Sequence, residues 1–180
     1  MAFSLIATLG LAAAAAPAAD LAAFEQTLAA QDSATAALGQ WCAARKLADP
    51  PVIRALPRPV SAATRTSARI RHLLKLRRGE VVVLRHVDLT CGSAVLSVAW
   101  NWYVPARLTP EMNAALAEGN TPFGKVAAPL RFRRVPIATV AGPAGSCPAE
   151  TISTHRAVLR LPDGKPLAYV VECYTRQNLR

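Results

Sequence analysis

Apolar residues recur along this chain at two different spacings, and the spacing changes near residue 80. Between Leu21 and about Arg45, the residues Leu21, Phe24, Leu28, Leu38, Trp41 and Cys42 fall at three- and four-residue steps. That period predicts an amphipathic helix. Asp32-Ser33 sits inside the run as an N-cap signal, and it either interrupts the helix or restarts it. Asp49-Pro50-Pro51 ends the element, because a residue ahead of proline is driven out of helical geometry. Val52–Leu56 predicts a short strand closed by Pro57 and Pro59. Ser61–Thr64 opens a basic helix whose apolar stripe is Ala68, Ile70, Leu73, Leu74 and Leu76, stopped at Arg78-Gly79-Glu80.

Beyond that point the period falls to two. Val81–Thr90 and Val95–Val104 predict two strands joined at Cys91–Ala94. Thr109-Pro110-Glu111 starts a helix with a hydroxyl cap, a proline in the first turn and an early acid. Gly119 stops it, and Thr121-Pro122-Phe123-Gly124 forms a tight turn or a short helix start. Leu130–Thr139 predicts a strand, and Ala141–Ala149 a glycine- and proline-rich loop. Ile152–Leu161 and Pro166–Thr175 predict a second hairpin about Pro162–Lys165. The sum is an α+β fold with an antiparallel β-sheet flanked by helices, as one domain over residues 20–180.

Alternation assigns faces. Val81, Val83, Arg85, Val87 and Leu89 share one face of the first long strand, and Val82, Leu84, His86, Asp88 and Thr90 the other, wetter one. Arg85 is thus a guanidinium on a core-facing surface, where an unpaired charge costs several kcal/mol and calls for an anion. In the last strand Ala168, Val170, Glu172 and Tyr174 share a face, opposite Leu167, Tyr169, Val171 and Cys173. Glu172 is either the structural partner of Arg85, or both line one pocket as an anion anchor and a proton-handling group. Trp100 and Trp102 share a face, with Asn101 and Tyr103 opposite. The two tryptophans read as core before they read as a base-stacking platform. His86 and His155 read as surface or hydrogen-bonded core histidines.

Charge changes the picture less than its size suggests. The chain carries a net +10, with 21 basic and 11 acidic residues. Asp20, Glu25 and Asp32 are the only charged side chains before Arg45, so the basic excess belongs to the part that follows. It is scattered, with Arg107, Arg131, Arg133 and Arg134 among many, and such arginines read as solvated surface. Arginine outnumbers lysine 17 to 4, as a GC-rich coding bias would produce. No phosphate loop or helix-turn-helix signature is present, so a specific nucleic-acid reader is not expected.

Residues 1–19 contain no charged side chain and close on Ala16-Pro17-Ala18, which predicts a secretory leader and a periplasmic or secreted protein, with a cytoplasmic location as the alternative. No stable membrane span is expected once the leader is removed. Cys42, Cys91, Cys147 and Cys173 allow three pairings, or serve as buried apolar groups. Neither they nor the histidines show metal-ligand spacing, so no metal and no cofactor are expected.

The ordered set of strand with Arg85, glycine turn, strand ending in Val104-Pro105, helix, Thr121-Pro122-Phe123-Gly124, strand, Gly164-Lys165-Pro166-Leu167 and strand with Glu172 resembles chorismate pyruvate-lyase and the related effector-binding UTRA domains of bacterial regulators. The resemblance runs from Leu21 to Asn178. It implies a ligand buried beneath helical flaps, and in the lyases a cofactor-free conversion of chorismate to 4-hydroxybenzoate and pyruvate. It implies that Arg85 binds a carboxylate, that the backbone at Phe123 and Gly124 contacts the ligand, that Ala34 falls at a flap position, and that Glu172 faces the ring substituents and assists proton transfer. Phe123 and Ala34 depart from the family's usual pocket shape. The stretch from Gly164 to Glu172 is one residue longer than the family pattern, which a bulge absorbs or which turns Glu172 away. Two readings result: a lyase-like enzyme with Arg85 and Glu172 as catalytic residues, or a non-catalytic, periplasmic binding protein for an aromatic or cyclic acid. Either is expected to act as a monomer. A third, nonspecific nucleic-acid binding, predicts a steep salt dependence and no pocket.

Overall fold

The computed structural model describes residues 15–60 and 66–180. Residues 1–14 of the expected leader, and the helix opening expected at Ser61–Thr64, lie outside the described residues. The long first run of apolar spacing is two helices, α1 (Ala15–Ala29) and α2 (Ala34–Ala44). Ser33 is the reason for the restart: its hydroxyl accepts from the Ala36 N–H at 3.4 Å, and its backbone is extended. Strand β1 (Ile53–Pro57) follows. Helix α3 (Ala68–Leu73) is shorter than its apolar stripe predicts. It closes where Lys75 turns left-handed (φ 46°), ahead of Gly79.

Strands β2 (Val83–Cys91) and β3 (Ala94–Tyr103) form the first hairpin. Helices α4 (Pro110–Ala117) and α5 (Phe123–Val126) follow, α4 with Thr109 capping Met112 N–H at 3.2 Å. Strand β4 (Arg133–Ala141) begins three residues later than expected, because Ala128–Leu130 winds into a 3-10 turn and Arg131 takes a left-handed φ of 50°. Strands β5 (Thr151–Arg160) and β6 (Pro166–Thr175) form the second hairpin. The six strands make one antiparallel sheet in the order β1-β2-β3-β6-β5-β4. The α+β fold with an antiparallel sheet flanked by helices is therefore as expected.

Both faces of the sheet are covered. On one, Phe24 and Leu28 of α1 and Leu38 and Trp41 of α2 pack on Val87, Leu89, Ala99 and Tyr174, while Leu116 and Phe123 of α4 and α5 pack on Tyr103, Leu159 and Val170. On the other, Ile70 and Leu74 pack on Val98, Trp100, Trp102 and Tyr169. The expected wet face of β2 is thus partly enclosed: Leu84 packs on this second layer and His86 stacks on Trp100 at 4.4 Å. Val81 and Val83, expected in the core, are exposed instead, because β1 pairs β2 only from Val87 onward and leaves that end open. Disulfides join Cys42 to Cys91, binding α2 to the sheet, and Cys147 to Cys173, binding the loop after β4 to β6.

One irregularity matters for the site. Leu159 pairs with Ala168 but Arg160 pairs with Pro166, so Leu167 is an extra residue in β6. This bulge sends Leu167 to the same side as Ala168, against simple alternation. Beyond it the pairing is regular as far as Tyr174, and Glu172 keeps the face of Val170 and Tyr174.

Candidate functional site

Asp32, Ser33, Ala34 and Thr35, at the start of α2, and Phe123 and Gly124, at the start of α5, roof a cavity floored by the sheet. Arg85, Asn101, Phe132, Arg134 and Glu172 line it together with Val87, Leu89, Ala99, Leu159 and Val170. All five residues singled out from the sequence, Ala34, Arg85, Phe123, Gly124 and Glu172, border this one space. Its volume is about 40 Å³, room for a few waters.

The roof is close-fitting. A Cβ on Gly124 would stand 2.8 Å from Thr35 Oγ1 and closer still to Ser33 Oγ, so α5 rests on α2 only because residue 124 has no side chain. Asp32 ties the roof to the sheet edge: Oδ1 accepts the Arg134 backbone N–H at 3.0 Å, and Oδ2 pairs with Arg133 at 3.2 Å.

Arg85 and Glu172 are not partners. Arg85 Nη2 donates to the carbonyls of Gly119 (2.8 Å) and Thr121 (3.1 Å), which holds the α4–α5 connection over the cavity. Burial draws the Arg85 guanidinium below the usual arginine range, with Tyr103 opposing, yet arginine stays protonated at any working pH. Glu172 pairs instead with Arg134 of β4, and Tyr174 Oη donates to the same oxygen, Oε2, at 3.1 Å. Burial works against the Arg134 charge, but Glu172 outweighs it and holds the guanidinium above its ordinary range. Burial, with the Glu172 charge, pushes the Tyr174 hydroxyl well up.

Two polar groups at the cavity lack partners. Arg134 Nη1 and Asn101 Oδ1 are buried and make no hydrogen bond among the described residues. Buried polar atoms without partners are uncommon and costly, so a donor and an acceptor left open at one cavity point to something that completes them. Sequence reasoning missed both residues. Arg134 follows Arg133 and reads as one more surface arginine, although its side chain is only 10% exposed. Its nearness to Glu172 arises from pairing across β5, which no local pattern reveals. Arg107 departs from the surface reading in the same way: it is buried, bonded to Glu80 and to the carbonyls of Leu74, Lys75 and Pro166. The histidines are hydrogen-bonded, as expected. His86 Nδ1 lies 3.0 Å from Pro59 O, and His155 Nε2 lies 2.9 Å from Glu25 and 3.1 Å from Ser153. No helix among the described residues is long and apolar enough to cross a membrane.

No family model matches the sequence. The uncharacterized protein y4mC of Sinorhizobium fredii is 37% identical over 166 residues, spanning 82% of this chain and 70% of y4mC. Among solved structures, PhnF from Mycobacterium smegmatis superposes with a TM-score of 0.56 at 13% identity, over 83% of this chain and 66% of PhnF. The isolated effector domain of PhnF gives 0.49 at 12% identity, over 68% of this chain and 80% of that domain. The PhnF likeness extends to the fold alone. At the level of sequence, the chain belongs to the family of y4mC.

Proposed function

We propose that this protein binds a small cyclic or aromatic carboxylate between the α2–α5 roof and the sheet, and that it does so without turning it over. The observation that carries the reading is the pair of open groups at the cavity, Arg134 Nη1 and Asn101 Oδ1, beside Arg85. Two guanidiniums and two carboxylates border the space; Glu172 is paired with Arg134 and Asp32 with Arg133, so Arg85, with no carboxylate partner among the described residues, is the charge left for a monoanion. Apolar side chains, Val87, Leu89, Phe132 and Val170 among them, suit a ring. The fold shared with PhnF, whose effector domain has been solved separately, agrees with a sensing or carrying role. Pockets for such ligands measure about 300 Å³ or more, so the roof lifts at Gly124 to admit one.

A lyase reading has one observation in its favour: Arg85 and Glu172 border the same space. Against it, Glu172 Oε2 is already held by Arg134 and Tyr174. One incubation separates the two. Purified chain from Asp20 onward is mixed with chorismate and, separately, 4-hydroxybenzoate. Thermal stabilisation with both and no 4-hydroxybenzoate formed from chorismate supports binding alone. Saturation to about 100 times Kd stabilises by about 2.7 kcal/mol, a rise of about 5–10 °C. Steady product formation that Arg85→Gln abolishes would replace this reading with the lyase. No stabilisation by any cyclic carboxylate would reject both. The two disulfides support a further part of the reading, that the mature chain works in an oxidising compartment. Mass spectrometry of the periplasmic fraction tests it, and an intact Met1 in the cytosol overturns it.

A further inference from the structure

The opposite face of the sheet carries a second concavity, which the carboxylate site does not use. It lies between α3 and the segment Ala144–Ser146 and measures about 250 Å³. Trp100, Trp102 and Tyr169 form its floor, and Arg69 and Arg156 its rim. The three aromatic residues are more than nine-tenths buried, so the floor is held in place by packing rather than free to collapse. The Trp102 and Tyr169 rings lie 5.5 Å apart at 32°, and His86 stacks on one face of Trp100 at 4.4 Å.

The wall formed by the loop is also fixed. Cys147 is joined to Cys173 of β6, and Thr154 Oγ1 donates to Gly142 O at 2.8 Å. Gly145 takes a φ of 68°, and a Cβ there would stand 3.3 Å from Arg156 Nη2, so the loop passes beside that guanidinium because residue 145 is glycine. The Arg156 guanidinium makes no hydrogen bond or ion pair among the described residues, and no acidic residue lines the concavity. The Trp102 indole N–H also has no acceptor among them. Burial pushes the Tyr169 hydroxyl up, and both Arg156 and Arg69 oppose it, which puts the two guanidiniums within electrostatic reach of the same ring.

We propose that this groove is a second binding site, for a planar aromatic anion of one or two rings whose ring lies on Trp100, Trp102 and Tyr169 and whose charge meets Arg156 and Arg69. Aromatic floors give stacking area at little entropic expense, and a guanidinium without a carboxylate partner supplies the anion preference. The site stands on the far side of the sheet from Glu172, and it holds or fails independently of the cavity there.

The probe is 2-naphthoate, with 2-naphthylmethanol as its uncharged counterpart, followed by calorimetry and tryptophan fluorescence on the disulfide-bonded chain. Naphthoate is expected to bind below about 1 mM and the alcohol about tenfold more weakly. With Arg85→Gln present throughout to silence the carboxylate cavity, the double variant Arg69→Gln/Arg156→Gln is expected to weaken the remaining naphthoate binding about tenfold or more. Circular dichroism confirms that each variant is folded, and Arg69→Gln alone, at an exposed position, serves if the double variant is not. Three results overturn the proposal: no binding at about 10 mM, equal affinity for acid and alcohol, or binding abolished by Arg85→Gln, which would assign the probe to the other cavity.

Discussion

Replacing Glu172 with glutamine keeps the size of the side chain and removes its charge. The side chains of Glu172 and Arg134 are 7% and 10% exposed, so water does little to compensate. Asp32 accepts the Arg134 backbone N–H, and its side-chain ion pair is with Arg133, so no second carboxylate among the described residues is paired with the Arg134 guanidinium. Breaking a buried pair from one side costs about 3–5 kcal/mol, because the remaining charge stays in a poor solvent. For a chain of this size that lowers Tm by about 6–20 °C. Tyr174 keeps an acceptor in the amide oxygen, so little of the loss arises there. The double variant Arg134→Met/Glu172→Gln removes the stranded charge and should recover about 2–3 kcal/mol of the single-variant loss, the upper range of couplings between contacting residues. Urea unfolding at pH 7 of the four proteins in the cycle, with m-values compared, gives the numbers. A loss under about 1 kcal/mol for Glu172→Gln, with unchanged m and no coupling, would refute the reasoning. It would mean that water reaches the pair, and that the cavity beside it is open.

Two further outcomes are expected. Gly124→Ala drives a methyl into Ser33 and Thr35, so it should destabilise by about 1–3 kcal/mol and, by lifting α5 from α2, change carboxylate affinity more than Ala34→Gly does; unaltered unfolding and binding would show that the roof is already loose. Glu80 is the acid-sensitive group: its hydrogen bond to Arg107, aided by the Arg77 backbone N–H, draws its carboxyl from 4.5 down to about 2. The folded value lies below the unfolded one, so this stability is complete above about pH 4.5 and drains away as pH falls toward 2. The full shift amounts to about 3 kcal/mol, and solvent screening brings it to about 1–2. Glu80→Gln should flatten that part of the acid unfolding curve, and an identical curve would exclude the assignment.

Much of the architecture is written locally. The change from a three-to-four-residue to a two-residue period marks the passage from helices to hairpins, and Ser33 and Thr109 are legible as caps from their residue type and their place ahead of an apolar run. The strand faces of Arg85, Asn101 and Glu172 follow from alternation because burial on one side fixes them. What stays hidden is non-local. Arg134 meets Glu172 only because β4 and β6 both pair with β5, and Arg107 is buried only because Glu80 and three carbonyls gather round it. Val81 and Val83 follow the apolar pattern and are still exposed, because β1 ends too soon to cover them. The pattern reports what a residue prefers, and the length of its neighbours decides whether the preference is met.

The bulge at Leu167 gives the last hairpin a place to store length. On its turn side, the chain from Arg160 to Pro166 can gain or lose residues and the change stays within the loop. On its far side no such slack exists. One residue added between Ala168 and Glu172 would exchange the two faces of β6 from that point on. It would carry Glu172 toward the tryptophans, and Cys173 away from Cys147. Length changes across relatives should therefore gather before Leu167 and stop there. The cavity and the second disulfide depend on the same count of residues.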